Sequence, residues 1–244
     1  MPEDEYLLDR YRVKIDKGTA KKEKIKKEEL KSFVKQKPNK RILGLRFHLG
    51  LYNLSRKGKD KGLSGWLKRI GEEPVIYDEF ITDKSASQIK SHLNNKGYYN
   101  SVVSDTAIFK RKRARVLYRV EINKPYKINK LTYNIQDPEI EPLIYKDTVN
   151  TLIQKGDNFD RDILQEERKR IETNLKNHGY YNFNKEFVYY QADSSEKELK
   201  VSLILNVQKY QKLDENRDVI NQNHKKYIIK NVYVFTNFNQ KEAL

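Results

Sequence analysis

Residues able to do covalent or acid–base chemistry are few in this sequence, and their spacing argues against catalysis. His48, His92, His178 and His224 are scattered, with no pair one helical turn apart that would set two imidazoles on one face to hold a metal. His92 and His178 fall on or at the ends of expected helices, where capping and surface roles suffice. Glu72-Glu73 and Asp78-Glu79 are adjacent pairs whose side chains diverge on regular structure, so loop solvation and helix N-terminal charge account for them better than an acid/base couple. Ser194-Ser195 sits in an expected hairpin turn without a Gly-x-Ser-x-Gly elbow. The loop from Gly58 to Gly65 is rich in Gly and Lys but lacks the Gly-Lys-Ser/Thr ending that positions phosphate and magnesium. With no Cys, thiol catalysis, disulfides and Cys-containing zinc sites are excluded. No catalytic residue, metal or cofactor is expected.

Charge is the more informative chemistry. The 244 residues carry 50 Lys and Arg against 34 Asp and Glu, a net +16, but residues 1–123 hold 30 against 16 while 124–244 hold 20 against 18. The excess lies in Lys21 to Lys27, in the region from Arg56 to Arg69, and in Lys110, Arg111, Lys112, Arg113 and Arg115. This last run reads as a basic docking face for nucleic acid, anionic lipid or an acidic partner. Apolar content of 37% is below the usual range of about 45–50%, which favours small modules with much surface. No stretch approaches the roughly 18 apolar residues of a spanning helix.

The elements that position these residues come in duplicate. Leu93-Asn94-Asn95-Lys96-Gly97-Tyr98-Tyr99-Asn100 matches Leu175-Lys176-Asn177-His178-Gly179-Tyr180-Tyr181-Asn182. Upstream of each lies an apolar helical stripe, Ala86, Ile89 and Leu93 in one and Ile163, Leu164, Ile171 and Leu175 in the other. Gly97 and Gly179 stand where a helix C-terminus wants a left-handed residue. The first Tyr after each Gly reads as a core anchor and the second as keeping its hydroxyl wet. These tyrosines sit at helix-to-strand corners and not on an open sheet face, which disfavours base stacking.

Period-two alternation follows each motif. It predicts strands over 101–109 and 114–122, joined by a turn at 110–113, and over 183–190 and 199–207, joined by a turn at 192–197. An opening strand precedes each unit with one spacing: Leu8-x-x-Tyr11-x-Val13-x-Ile15, Ile128-x-x-Leu131-x-Tyr133-x-Ile135, and a third, Ile229-x-x-Val232-x-Val234-x-Thr236. First helices are expected over 24–37, ending at Pro38, and over 147–155, ending at Gly156. The organisation is thus a first module at 5–123 with an insert at 41–74, a second at 124–209, a polar linker at 210–225 and the start of a third module at 226–244. The insert carries apolar residues on too many sides for a free surface helix and is expected to pack on the module or on a partner.

Tandem strand-helix-helix-strand-strand units, each with Gly-Tyr-Tyr after the second helix, resemble POTRA (polypeptide-transport-associated) domains of the BamA/TamA superfamily. The long first module, with Lys37-Pro38-Asn39-Lys40-Arg41, Phe47-His48-Leu49 and Gly71-Glu72-Glu73-Pro74, resembles the TamL lipoprotein branch. The resemblance implies an α+β fold of tandem POTRA-like βααββ modules, each a three-stranded mixed sheet with two helices on one face. It implies a non-enzymatic periplasmic arm attached to the outer membrane through a barrel and a lipid anchor that are absent from this sequence. Implied partners are a TamB-like protein and unfolded outer membrane protein precursors, with an anionic membrane surface as a further one and no nucleic acid. The middle strand of such a unit is an open edge, which maps to Ser101, Val103, Asp105 and Ala107 in one module and Phe183, Lys185, Phe187 and Tyr189 in the other. Strand addition at these edges is the expected function, the first being favoured for its scarcity of charge. Nucleic-acid binding through the charge of residues 1–123 is the rival.

Overall fold

A computed structural model of the chain describes residues 5–16, 18, 25–55, 62–195, 197–213 and 217–234. Residues 21–24 of the first basic run, 56–61 of the Gly/Lys-rich loop, 196 of the second hairpin turn, 214–216 of the expected linker and 235–244 of the third opening strand lie outside them. The chain divides into two compact units, Met1–Tyr126 and Lys127–Leu244.

The first unit runs β1 (Leu7–Asp16), α1 (Lys27–Ser32), α2 (Phe47–Leu54), α3 (Gly62–Ile70), α4 (Glu79–Asn95), β2 (Val102–Lys110) and β3 (Arg113–Glu121). The second runs β4 (Lys127–Ile135), α5 (Glu141–Lys146), a 3-10 turn at Asp147–Asn150, α6 (Arg161–Asn177), β5 (Val188–Ser195) and β6 (Lys200–Val207), then a hairpin of β7 (Tyr210–Leu213) and β8 (Val219–Gln222). Both large sheets have one topology. The first strand lies parallel to the last, and the middle strand pairs antiparallel with the last, giving orders β1-β3-β2 and β4-β6-β5. The fold is therefore α+β, built on two three-stranded mixed sheets.

Alternation along β3 buries Ala114, Val116, Tyr118 and Val120, the last three in one core with Leu30, Val34, Ile89 and Leu93. In the second unit Leu205 and Val207 meet Ile140, Ile144, Ile171 and Leu175. Burial of such side chains contributes about 1.5–3 kcal/mol each, so each unit carries its own core. The long helices are capped alike: Asp78 accepts from the Ile81 N–H at 2.9 Å and Asp160 from the Asp162 N–H at 2.9 Å. They also end alike. Tyr98 N–H donates to Leu93 O and Gly97 N–H to Asn94 O, while Tyr180 N–H donates to Leu175 O and Gly179 N–H to Lys176 O. This is the Schellman pattern, with φ of +88° at Gly97 and +95° at Gly179.

Five expected elements differ. The first helix of the second unit begins at Glu141, six residues before the expected 147, because Pro142 suits the first turn; residues 151–155 are not helical. The first helix of the first unit is trimmed to Lys27–Ser32. Residues 183–187 are not strand: Phe183 is drawn into the core and Asn184 caps a 3-10 turn at Lys185–Phe187, so the strand begins at Val188. Residues 210–222 contain a hairpin in place of a linker, with Tyr210 packed on Phe187 at 6.1 Å. The third opening motif forms no strand over 227–234, since each earlier opening strand lies along the last strand of its own unit and none runs beside these residues among those described.

Candidate functional site

The opening spacing Leu8-x-x-Tyr11 departs from period two by one residue, and that residue is a β-bulge. Register along β1 jumps from Leu8 to Arg10, and along β4 from Ile128 to Lys130. The bulged residues are Asp9 and Asn129. Asp9 is 1% exposed and receives four guanidinium groups: Arg10 Nε at 3.2 Å, Arg41 Nη2 at 2.7 Å, Arg46 Nη2 at 2.8 Å and Arg115 Nε at 3.1 Å. Burial works to raise its carboxyl, but the hydrogen bonds from Arg10 and Arg115 and the charges of Arg46 and Arg41 outweigh it and hold the group below its ordinary value. Arg46 also donates to the Asp9 carbonyl at 2.6 Å. Asn129 in the second unit makes only a long contact to the Ser202 hydroxyl, at 3.4 Å.

These contacts cover one side of sheet one. Leu8 N–H donates to Val75 O at 2.8 Å and Tyr77 N–H to Tyr6 O at 2.7 Å, so the segment before α4 pairs with the start of β1. The second unit repeats this: Ile128 N–H donates to Asp157 O at 2.8 Å and Gly156 N–H to Ile128 O at 2.7 Å. In both units the first strand is thus occupied on its outer side near its start. The middle strands β2 and β5 each have one neighbour and form the opposite edges.

The geometry of β2 can be read further. Lys110 pairs with Arg113 across a two-residue loop in which Arg111 and Lys112 have φ of +48° and +56°. That is a type I′ hairpin, whose flanking residues form a hydrogen-bonded pair. Hydrogen-bonded pairs recur every second residue, so the N–H and C=O groups of Val103, Asp105, Ala107 and Phe109 face away from β3, toward the open edge. Val103, Asp105 and Ala107 are half-buried on the helix side, whereas Val102, Ser104, Thr106 and Ile108 are exposed on the other. Burial, then the carboxylates of Asp83 and Glu79, push the Asp105 carboxyl up.

Among the other expected edge residues, Ser101 is buried before β2 begins, and its hydroxyl accepts from the Asn123 N–H at 3.1 Å. Tyr189 lies on β5, but Phe183, Lys185 and Phe187 do not. Phe183 packs tilted and Phe187 edge-on against His224, and the Lys185 carbonyl accepts from Arg168. Tyr98 and Tyr180 are buried; Tyr99 is half-buried and Tyr181 exposed. The carbonyls of Gly97 and Gly179 accept from Tyr126 N–H at 2.9 Å and Tyr227 N–H at 2.8 Å. In the basic run, Lys110, Arg111, Lys112 and Arg113 are exposed around the hairpin turn, whereas Arg115 is tied to Asp9. Arg12, Lys14 and Arg119 extend this charge over the helix-free face of the sheet.

Two arrangements escape sequence reasoning. One is the Asp9 cluster, whose signal is the extra residue in the opening motif together with a carboxylate among arginines. The other is Asp137, which accepts from His224 N–H at 2.6 Å and contacts His224 Nδ1 at 2.9 Å, fastening the segment after β8 to the second unit. Nothing in local spacing links positions 87 residues apart. His92 meets Glu29 at 2.8 Å and stacks on Phe33, and His48 and His178 bond backbone carbonyls. Among the described residues no group of three or more His, Asp or Glu is placed to hold a metal, and no helix is long and apolar enough to cross a membrane.

No protein-family model and no curated protein matches the sequence. Solved structures similar to it include POTRA domains 3–5 of BamA from Haemophilus influenzae, at 14% identity and a TM-score of 0.39, covering 85% of this chain and 68% of that one. POTRA domains 1–3 of Omp85 from Anabaena are similar at 11% identity and a TM-score of 0.34, covering 83% and 65%. BamA from Haemophilus ducreyi lacking POTRA domains 1–3 is similar at 12% identity and a TM-score of 0.39, covering 84% of this chain and 30% of that one.

Proposed function

We propose that the chain is a POTRA-type arm of an outer membrane protein assembly factor, binding extended segments of partner or precursor proteins by strand addition at β2. The observation that supports this is the asymmetry of sheet one: β1 is occupied on its outer side, while β2 presents the outward N–H and C=O groups of Val103, Asp105, Ala107 and Phe109. Between Val102 and Phe109 the strand has no Lys and no Pro, the usual guards of an exposed edge, and only Asp105 as a charge. Main-chain pairing is tolerant of sequence, which suits many different unfolded precursors. β5 is a second open edge with the same topology. The resemblance to the TamL branch adds a TamB-like partner, a periplasmic location and a lipidated barrel protein as the parent.

Val103→Pro combined with Ala107→Pro tests the edge. Both positions direct their N–H outward, so proline removes no ladder bond and the fold is retained. Thr106→Pro, whose N–H belongs to the ladder, should unfold the strand instead. Binding of a fluorescently labelled, urea-unfolded outer membrane barrel protein should weaken at least tenfold in the folded double variant, two outward hydrogen bonds being worth about 1 kcal/mol each. Undiminished affinity in a variant with native circular dichroism would refute strand addition at β2.

A further inference from the structure

The insert between β1 and α4 is built with its apolar residues outside. In α2 the buried residue is Leu49, and at about 100° per residue Phe47 and Leu54 fall on the opposite side of the helix, where both are exposed. In α3 the buried residue is Gly65; Leu63 and Ile70 fall opposite it and Trp66 about 100° to the side, all three exposed, Trp66 at 51%. Gly71, just after α3, lies against the Tyr52 backbone, bringing the end of α3 close to α2. Ahead of α2, Ile42 and Leu45 exchange backbone hydrogen bonds of 2.8 and 2.9 Å around a two-residue turn that leaves Leu43 99% exposed at its tip. Leu43 also has φ +50°, a conformation that costs a bulky residue about 1–2 kcal/mol and is ordinarily given to Gly or Asn. A strained leucine in full contact with water gains nothing within the fold.

Charge selects what covers this surface. Among the described residues from Lys40 to Ile70 there are five cations, Lys40, Arg41, Arg46, Lys68 and Arg69, and no Asp or Glu. Arg41 and Arg46 flank the Leu43 turn and are bound to Asp9 together with Arg10 and Arg115, so the apolar tip is held beside four guanidinium groups and one buried carboxylate. Exposed apolar residues with a Trp, on a segment whose described charges are all basic, match the boundary between acyl chains and anionic headgroups.

We propose that the insert, through its described parts 41–55 and 62–70, is a membrane-surface anchor in which Leu43, Phe47, Leu63 and Trp66 enter the headgroup–acyl boundary of an anionic bilayer while neighbouring Arg and Lys side chains pair with its phosphates. It is independent of strand addition, requiring only the first unit.

Trp66 is the only tryptophan, so its emission reports on the insert alone. Vesicles of phosphatidylglycerol and phosphatidylcholine in equal parts should shift the emission to the blue and carry the protein down on sedimentation; pure phosphatidylcholine should do neither. Leu43→Asn, which relieves the backbone and so keeps the fold, should weaken vesicle binding several-fold. Lys68→Gln with Arg69→Gln should weaken it about fivefold per charge removed. Trp66→Phe should still sediment with the anionic vesicles. No shift and no sedimentation with anionic vesicles, equal binding to neutral ones, or a blue shift that rises with protein concentration in the absence of lipid, which would mark a second copy as the occupant, would each overturn the proposal.

Discussion

Asp9→Asn is the sharpest probe of how the first unit holds its insert. The substitution keeps the shape of a fully buried side chain but removes the charge that four arginines share, and it turns an N–H₂ group toward one pair of guanidinium donors. The four contacts are unequal. Arg46 is 12% exposed and bonds both the carboxylate and the Asp9 carbonyl, whereas Arg10, Arg41 and Arg115 are 40–50% exposed. A hydrogen bond to a charged group of the Arg46 kind is worth about 1.5–3 kcal/mol. The solvated pairs are worth roughly 0.2–1 kcal/mol each. The expected loss is therefore about 2–6 kcal/mol, which at a urea slope of about 2 kcal/mol/M lowers the midpoint followed through Trp66 by roughly 1–3 M. Acid should mimic the substitution. The Asp9 carboxyl is held below its ordinary value of 3.8, so its contribution is fully present above that value and is lost as the pH falls through the lowered one. The variant should lack this component. Asn129→Ala, at the matching bulge of the second unit, should cost under about 1 kcal/mol, since Asn129 makes only a 3.4 Å contact. A midpoint change below about 0.3 M in the Asp9 variant, or an unaltered acid profile, would refute the view that this carboxylate ties the insert to β1.

Gly97→Ala and Gly179→Ala should each destabilise by about 1–2 kcal/mol in thermal unfolding, because both positions have positive φ. Gly179→Ala should be the worse, its new methyl standing 2.9 Å from the Tyr227 carbonyl oxygen; equal, negligible effects would contradict the shared helix-end geometry. Asp105→Asn should stabilise the protein at pH 7. Burial and the neighbouring Asp83 and Glu79 raise the Asp105 carboxyl, so the folded state binds its proton more readily than the unfolded chain, and stability falls as pH rises from 3.8 through the raised value. A variant less stable than the parent at pH 7, or one that retains this decline, would contradict the assignment.

The fold was legible because its determinants are local. The Gly-Tyr-Tyr motif encodes a helix end, alternation along Ala114, Val116, Tyr118 and Val120 encodes a half-buried strand, and their repetition doubles both signals. Misreadings arose where a short segment had to choose between local preference and a tertiary position. Phe183 and Phe187 look like alternate strand residues, yet the core of the second unit claims both, and the Asn184 cap between them starts a 3-10 turn. The run after Tyr145 has helical composition, but Pro142 starts the helix earlier and Asp147–Asn150 tightens it into a 3-10 turn. The site was half legible. Alternation locates an edge strand, but whether an N–H points to the ladder or to open water depends on the hairpin register, which Arg111 and Lys112 fix by taking left-handed conformations that no Gly or Asn advertises. Long-range polar pairs such as Asp9 with Arg46 or Asp137 with His224 leave no periodic trace at all.

Comparison of the two copies separates framework from specialisation. Both units keep the bulge in the opening strand, the segment paired beside it, the Asp cap, the Schellman ending, the Tyr N–H returned to the Gly carbonyl and the free middle strand. A feature present twice in one chain under different surroundings answers to the architecture they share, so the open edges at β2 and β5 belong to that shared framework. The differences are concentrated at one point. Asp9 stands where the second unit has Asn129, and it alone gathers Arg41 and Arg46 from an insert that the second unit lacks. Framework stability does not require a carboxylate at the bulge, since the second unit manages with an amide. The charge at position 9 is explained by what it holds in place: a cationic, outward-facing apolar insert beside the edge that Tyr6 to Leu8 share with Val75 to Tyr77. One unit thus sets an open strand edge beside a carboxylate-held insert, where the other keeps the edge.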